Sequence, residues 1–127
     1  MTIVAIDFDG TIVEHEYPRV GAPVPGALDF IKQFQEKQAK LVLWTMRSGQ
    51  TLYEATEYLL KNGVELYGVN VNPDQKDWTQ SPKAYAHMYI DDAAVGCPLI
   101  RPRYRRPYVD WSIVGPTVLR EIERLGK

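Results

Sequence analysis

Four short apolar runs, Ile3–Ile6, Leu41–Trp44, Leu66–Val69 and Met88–Ile90, are spaced along the chain, and each stops at polar residues or a turn. Runs this short, continuous and partly β-branched suit strands buried on both faces, the pattern of a parallel sheet. Helical periodicity fills the gaps. After Pro25-Gly26, the residues Ala27, Phe30, Ile31 and Phe34 recur at helical spacing, with Lys32, Gln35 and Glu36 between them. Thr51-x-x-Glu54 reads as a capping box, in which each end of the motif satisfies an orphan backbone N–H of the other. A stripe of Leu52, Ala55, Thr56, Leu59 and Leu60 follows, and Asn62-Gly63 supplies the stop. Towards the end of the chain Pro116 suits a first helical position, ahead of Val118, Leu119, Ile122 and Leu125 on one face. This alternation predicts an α/β fold, Rossmann-like, with an open, mainly parallel sheet and helices on both faces. Glu14–Val24, Asn72–Pro82 and Cys97–Gly115 have no period and are expected to be irregular.

The 127 residues suffice for one domain, expected to span 1–127, with no linker or repeat to divide it. No apolar run approaches the ~18 residues that cross a bilayer, and Met1–Ile6 is too short for a signal sequence, so no membrane association is expected. Cys97 alone forms no internal disulfide, and there is no Cys/His cluster for zinc; the expected compartment is a reducing cytoplasm. A net charge of −1 removes the global electrostatic case for nucleic-acid binding. The local exception is Arg101-Pro102-Arg103-Tyr104-Arg105-Arg106-Pro107-Tyr108. Its arginines and tyrosines have the chemistry to grip phosphates and stack on bases, or else form a solvated arm that pairs with acidic residues elsewhere. His15 and His87 read as structural or surface residues, Trp44, Trp78 and Trp111 as packing residues, and Cys97 as a small buried hydrophobe.

In a parallel sheet the C-terminal ends of all strands gather on one edge, where open α/β sheets bind their ligands. Here three runs end in Asp7, in Thr45 and in Asp91-Asp92. Asp7 and Asp9, two apart on briefly extended backbone, project to the same side, and Gly10 permits the turn away from the strand. Carboxylates so gathered repel one another unless a cation joins them, and Mg²⁺, with its preference for oxygen ligands, carboxylates and phosphate, is the natural one. A carboxylate beside such an ion is placed to attack phosphorus. The Thr45 hydroxyl and the Lys83 ammonium suit a transferring phosphoryl group, and Arg47 is placed to contact substrate or to brace the carboxylates.

Asp7-Phe8-Asp9-Gly10-Thr11 after an apolar strand resembles the first motif of the haloacid dehalogenase-like superfamily of phosphohydrolases. Leu41–Thr45 is similar to its second motif, Lys83 to its third and Tyr89-Ile90-Asp91-Asp92 to its fourth, in the superfamily's order over residues 3 to 92. The resemblance implies Asp7 as the nucleophile of an aspartyl-phosphate and Asp9 as the acid and base for leaving group and water. It implies Mg²⁺ held by Asp7, by Asp9 through its backbone carbonyl, and by Asp91, with Asp92 a direct or water-mediated helper. Thr45 and Lys83 would bind the phosphoryl group. Lys83 stands only eight residues before Asp91, closer than in many relatives, which leaves Lys76 as a second lysine for that role. Residues 12–44 and 46–82 are consumed by scaffold elements, so no cap domain fits over the site.

The expected activity is thus Mg²⁺-dependent hydrolysis of a phosphate monoester, on a small phosphorylated metabolite or an exposed terminal phosphate. Two alternatives stand beside it. One is a receiver-like phosphoacceptor domain, although receivers carry their aspartate on a later strand. The other is a phosphate- or nucleic-acid-binding module on the same scaffold, acting through Arg101–Arg106. The absent cap and the extended arm also suggest a homo-oligomer.

Overall fold

The computed structural model describes residues 1–127. Its elements run β1 (Ile3–Ile6), α1 (Ala27–Glu36), β2 (Lys40–Leu43), α2 (Gly49–Lys61), β3 (Gly68–Val69), a single 3-10 turn (Gln75–Asp77), β4 (Met88–Ile90), β5 (Leu99–Ile100), β6 (Tyr108–Val109) and α3 (Trp111–Leu125). Four strands form a parallel sheet in the order β3-β2-β1-β4, with Val4 opposite both Leu41 and Met88. β1 is therefore a central strand, and Asp7 leaves the middle of the C-terminal edge. No helix is long and apolar enough to cross a membrane.

The two faces of the sheet are covered differently. Val4, Ile6, Leu41, Leu43 and Ile90 face a 22-residue core that takes in Ala27, Ile31 and Phe34 of α1, Ala55 and Leu59 of α2, and Val114, Val118 and Ile122 of α3. The alternate residues Ile3, Ala5 and Val42 face a small cluster completed by Ala84 and Ala86, with Trp44 and Tyr67 packed against it. Right-handed crossovers explain this. The sequence β1-β2-β3 steps steadily one way, which puts α1 and α2 on one side; the return from β3 to β4 crosses the other side. Where helices were expected on both faces, that return carries only the 3-10 turn. Its Pro73, Pro82 and polar residues offer no apolar period for a longer helix.

Other local expectations are corrected. α2 begins at Gly49 behind Ser48, so Thr51 lies inside the first turn, its hydroxyl donating to the Ser48 carbonyl at 2.8 Å. No capping box forms. In the predicted stripe Leu60 is 63% exposed, and Tyr58 instead meets the core, edge-on to Phe8 at 6.1 Å. Asn62-Gly63 does end the helix, with Gly63 at φ 79°.

α3 starts five residues before Pro116, capped by Asp110, whose carboxylate accepts from Ser112 N at 3.1 Å. The proline removes one bond, to the carbonyl of Ser112, an exposed residue in the first turn. The supposedly irregular stretch 97–115 thus holds the antiparallel pair β5–β6 and the start of α3. Trp111 is buried among Phe30 and Phe34, whereas Trp78 is 65% exposed and is no core residue. Gly115 lets the Phe30 ring lie on the helix backbone, since a Cβ there would stand 2.4 Å from it.

Candidate active site

β1 ends one residue before Asp7, whose N–H still donates to the Ile90 carbonyl of β4 at 2.9 Å. The ladder continues on the other side through Trp44 N to the Ile6 carbonyl, and Thr45 follows. β4 ends at Ile90, immediately before Asp91-Asp92. Parallel register alone therefore brings three chain segments to one edge. Carboxylate oxygens of Asp7, Asp91 and Asp92 lie within 4.8 Å of one another, the convergence expected from the strand ends.

Thr11 ties this cluster together. Its hydroxyl donates to Asp7 Oδ2 at 2.8 Å and accepts from the Asp92 N–H at 3.1 Å, which fixes the rotation of the Asp7 carboxylate. Trp111 in turn donates to the Thr11 carbonyl at 2.7 Å, anchoring the loop to α3. Gly10 makes the turn at φ 85°, and a Cβ there would lie 2.0 Å from His15 Nε2 and 2.4 Å from Asp92 Oδ2. Any side chain here would be strained at this φ and would displace His15 and Asp92. Burial, hydrogen-bonding contact with Asp92 and the charge of Asp91 push the Asp7 carboxyl up from 3.8 to about 8, opposed only by Thr11. His15 Nε2 meets Asp92 Oδ2 at 2.9 Å, a partner for one carboxylate of the three.

Asp9 is placed elsewhere. Both of its oxygens are held by Arg47, Nε to Oδ2 and Nη2 to Oδ1, each at 2.8 Å. The remaining guanidinium donors go to the carbonyls of Pro18, Arg19 and Thr51, and the side chain is 1% exposed between the rings of Phe8 and Tyr17. Every N–H of Arg47 is used. Arg47 is therefore not a phosphate ligand; it braces a carboxylate, the other role foreseen for it. The Asp9 carboxylate is likewise no member of the Asp7–Asp91–Asp92 cluster, because Arg47 already pairs with it. Only its backbone carbonyl remains for the part expected of it there.

Thr45 lines a cavity of about 300 Å³ with Asp7, Asp91, Asn70, Met46, Trp44 and Pro82. Its hydroxyl accepts from Arg47 N at 3.1 Å, which leaves its own proton to donate. Its N–H donates to Asn70 Oδ1 at 2.8 Å. The backbone N–H groups of Phe8, Asp9 and Met46, on the loops that bear these residues, have no acceptor within the protein. Lys83 is exposed, with its ammonium 5.4 Å from the Tyr89 ring centroid; its neighbour Pro82, not Lys83, lines the cavity. Lys76, exposed on the 3-10 turn, is outside it as well. A larger hollow of about 410 Å³, beside Lys40 and Tyr67, lies at the N-terminal edge and has no carboxylate cluster.

Three participants escaped the sequence reading. Asn70 directly follows the third apolar run, so the strand-end rule applied once more finds it. Thr11 stands in the first motif but had no role assigned. His15 carries no local signal, since its partner is 77 residues away. His87 is structural as expected, its Nδ1 accepting from Ile3 N at 3.0 Å. Burial, and then the negative charges of Asp92 and Asp91, push the Cys97 thiol up and keep it protonated.

Fold and site together define an open parallel α/β domain with an acidic cluster at the C-terminal edge of its central strands. No family model and no curated protein matches the chain. A solved structure described as that of a conserved protein from Bacteroides thetaiotaomicron is similar, with a TM-score of 0.77 and 36% sequence identity over 94% of this chain and 90% of that one. The chain belongs to that protein's family.

Proposed function

We propose that the protein is a Mg²⁺-dependent phosphomonoester hydrolase of the haloacid dehalogenase-like kind, acting through an aspartyl-phosphate on Asp7. The observation that carries this reading is the convergence of Asp7, Asp91 and Asp92, the first two lining an open cavity, with no lysine or arginine bonded to any of them. Their oxygens form a hard donor set that fits Mg²⁺, and the raised Asp7 marks a place where positive charge is wanting. Asp7 and Asp91, with the Asp9 carbonyl and Asp92, would hold the ion, which when bound supplies Lewis-acid charge for the phosphoryl oxygens.

In this reading Asp7 attacks phosphorus as the ester P–O bond breaks, and the leaving oxygen takes a proton from Asp9. Water then gives a proton to Asp9 and cleaves the acyl phosphate, releasing inorganic phosphate and restoring Asp7. Thr45 donates to the phosphoryl group, and Lys83, next to the cavity-lining Pro82, is the lysine this reading assigns to its charge. Each Asp9 oxygen accepts one bond from Arg47 and keeps a second lone pair for the proton, so Arg47 orients Asp9 without leaving it and is a positioning residue. The lone reduced Cys97 agrees with a cytoplasmic setting.

The test is phosphate release from a panel of phosphorylated metabolites and p-nitrophenyl phosphate, with and without Mg²⁺. Asp7→Asn should lower turnover by more than about 10³-fold, about 4 kcal/mol of barrier. Multiple turnover separates this reading from a receiver, which stops after one phosphorylation; unchanged turnover in the variant would refute it.

A further inference from the structure

We propose that the arginine-rich arm between β5 and β6 is the substrate-recognition element of this site, and that the monoester it presents is the terminal phosphate of a single-stranded nucleic acid. This rests on the phosphatase reading and names its substrate class.

The arm is rooted in the catalytic loop. Val109 N of β6 donates to the Gly10 carbonyl at 3.0 Å, and Gly10 is the residue packed against His15 and Asp92. Arg105 reaches Glu14 Oε2 at 3.0 Å, one residue before His15. The arm therefore springs from the turn that carries Asp7, Asp9 and Thr11, and Pro102 and Pro107 restrict its backbone.

Its charges are mostly unspent. If the arm were a solvated surface feature laced to nearby acids, its arginines would be paired. Only Arg105 is; Arg101, Arg103 and Arg106 are exposed and have no carboxylate within 4.0 Å. Tyr104 at the tip is 88% exposed, with the Arg103 guanidinium 5.6 Å from its ring centroid. An exposed aromatic ring among guanidinium groups that have no carboxylate partner is the chemistry that stacks a base and neutralises the flanking phosphates. An acidic peptide would satisfy the arginines but leave Tyr104 idle and offer no phosphate monoester. A small metabolite seated at Asp7 has no chain of phosphates to lay along the arm. No cap closes over the cavity, so a polymer end has access. In the reaction the terminal P–O ester bond breaks, the nucleic acid leaves as an alcohol, and water supplies the new oxygen of inorganic phosphate.

The experiment compares wild type, R101Q/R103Q/R106Q, the corresponding triple lysine variant and Tyr104→Ala. Substrates, all with Mg²⁺, are 5′- and 3′-phosphorylated DNA of about ten nucleotides, the matching mononucleotides and p-nitrophenyl phosphate. The ratio of kcat/KM for DNA to that for p-nitrophenyl phosphate should fall at least about 30-fold in the glutamine variant and about tenfold in Tyr104→Ala. The salt dependence of kcat/KM for DNA should flatten by a slope of about 2 in the glutamine variant, and the lysine variant should keep most of the ratio. A ratio unchanged in both the glutamine and Tyr104→Ala variants, or equal turnover of mononucleotide and DNA, overturns the proposal while leaving the phosphatase reading intact. If wild type turns over none of these substrates, the claim about substrate fails, and the phosphatase reading falls with it only if the metabolite panel is also inert. Arm-dependent binding of the same DNA to Asp7→Asn, followed by fluorescence anisotropy, would then show a nucleic-acid contact and overturn the claim about substrate.

Discussion

Asp7 and Asp9 are two residues apart on one loop, and their surroundings differ in sign. Around Asp9 the chain supplies its own cation, a buried guanidinium that spends two donors on the carboxylate and three on backbone carbonyls. Around Asp7 it supplies two more carboxylates and one hydroxyl. Both aspartates are half-buried, so solvent screening does not account for the contrast. The protein neutralises the acid it needs to hold still. It leaves unneutralised the acids that, in the proposed reading, share a cation taken from solution.

The sharpest way to break this comparison is Arg47→Met, which removes the one cation from a half-buried carboxylate and the donor from three loop and helix carbonyls. We expect a loss of about 3–5 kcal/mol in urea unfolding; a loss below about 1 kcal/mol would mean that the pairing does not hold Asp9 in place. Next comes pH. Between pH values of about 4 and 8 the unfolded chain has lost the Asp7 proton while the folded chain retains it. Folded protein binds more protons there, so stability of the metal-free protein is fullest at the acid end and falls as pH rises, by up to about 1.4 kcal/mol per unit. Asp7→Asn should remove that slope and raise the Tm near pH 8; an unchanged slope would show that Asp7 is not the crowded group.

Mg²⁺ should then do from outside what Arg47 does from within. At a hundredfold excess over its Kd it should stabilise wild type by about 2.7 kcal/mol, and Asp91→Asn should erase the shift in thermal unfolding. The smallest effect is expected at His15, which touches only the outer member of the cluster. His15→Ala should weaken Mg²⁺ binding by about tenfold, read by titration calorimetry.

What could be read from residue order was what depends on short range. The apolar runs place the strands, and parallel register then brings Asp7, Asp91 and Asp92 together without further information. Arg47 and His15 could not be placed the same way. Their partners are 38 and 77 residues distant, and neither spacing leaves a local trace. Pro116 misled for a related reason: a proline early in a helix is tolerated wherever the carbonyl it deprives is wet, and exposure is a tertiary property. β5 and β6, two residues each, are too short for any period to reveal.

The covering of the second sheet face has a mechanical consequence. Helical residues lock one side of the sheet, but the other is closed by a connection whose buried apolar groups are the methyls of Ala84 and Ala86, beside the hydrogen-bonded side chains of Asn72 and Gln75. So shallow a layer lifts at lower free energy than the helical side, and its amides should exchange with deuterium before those of β1. Pro82, on the rim of the cavity, belongs to that layer. The threshold of the pocket would then hang on the panel that opens first, while its floor is fixed to the helical side.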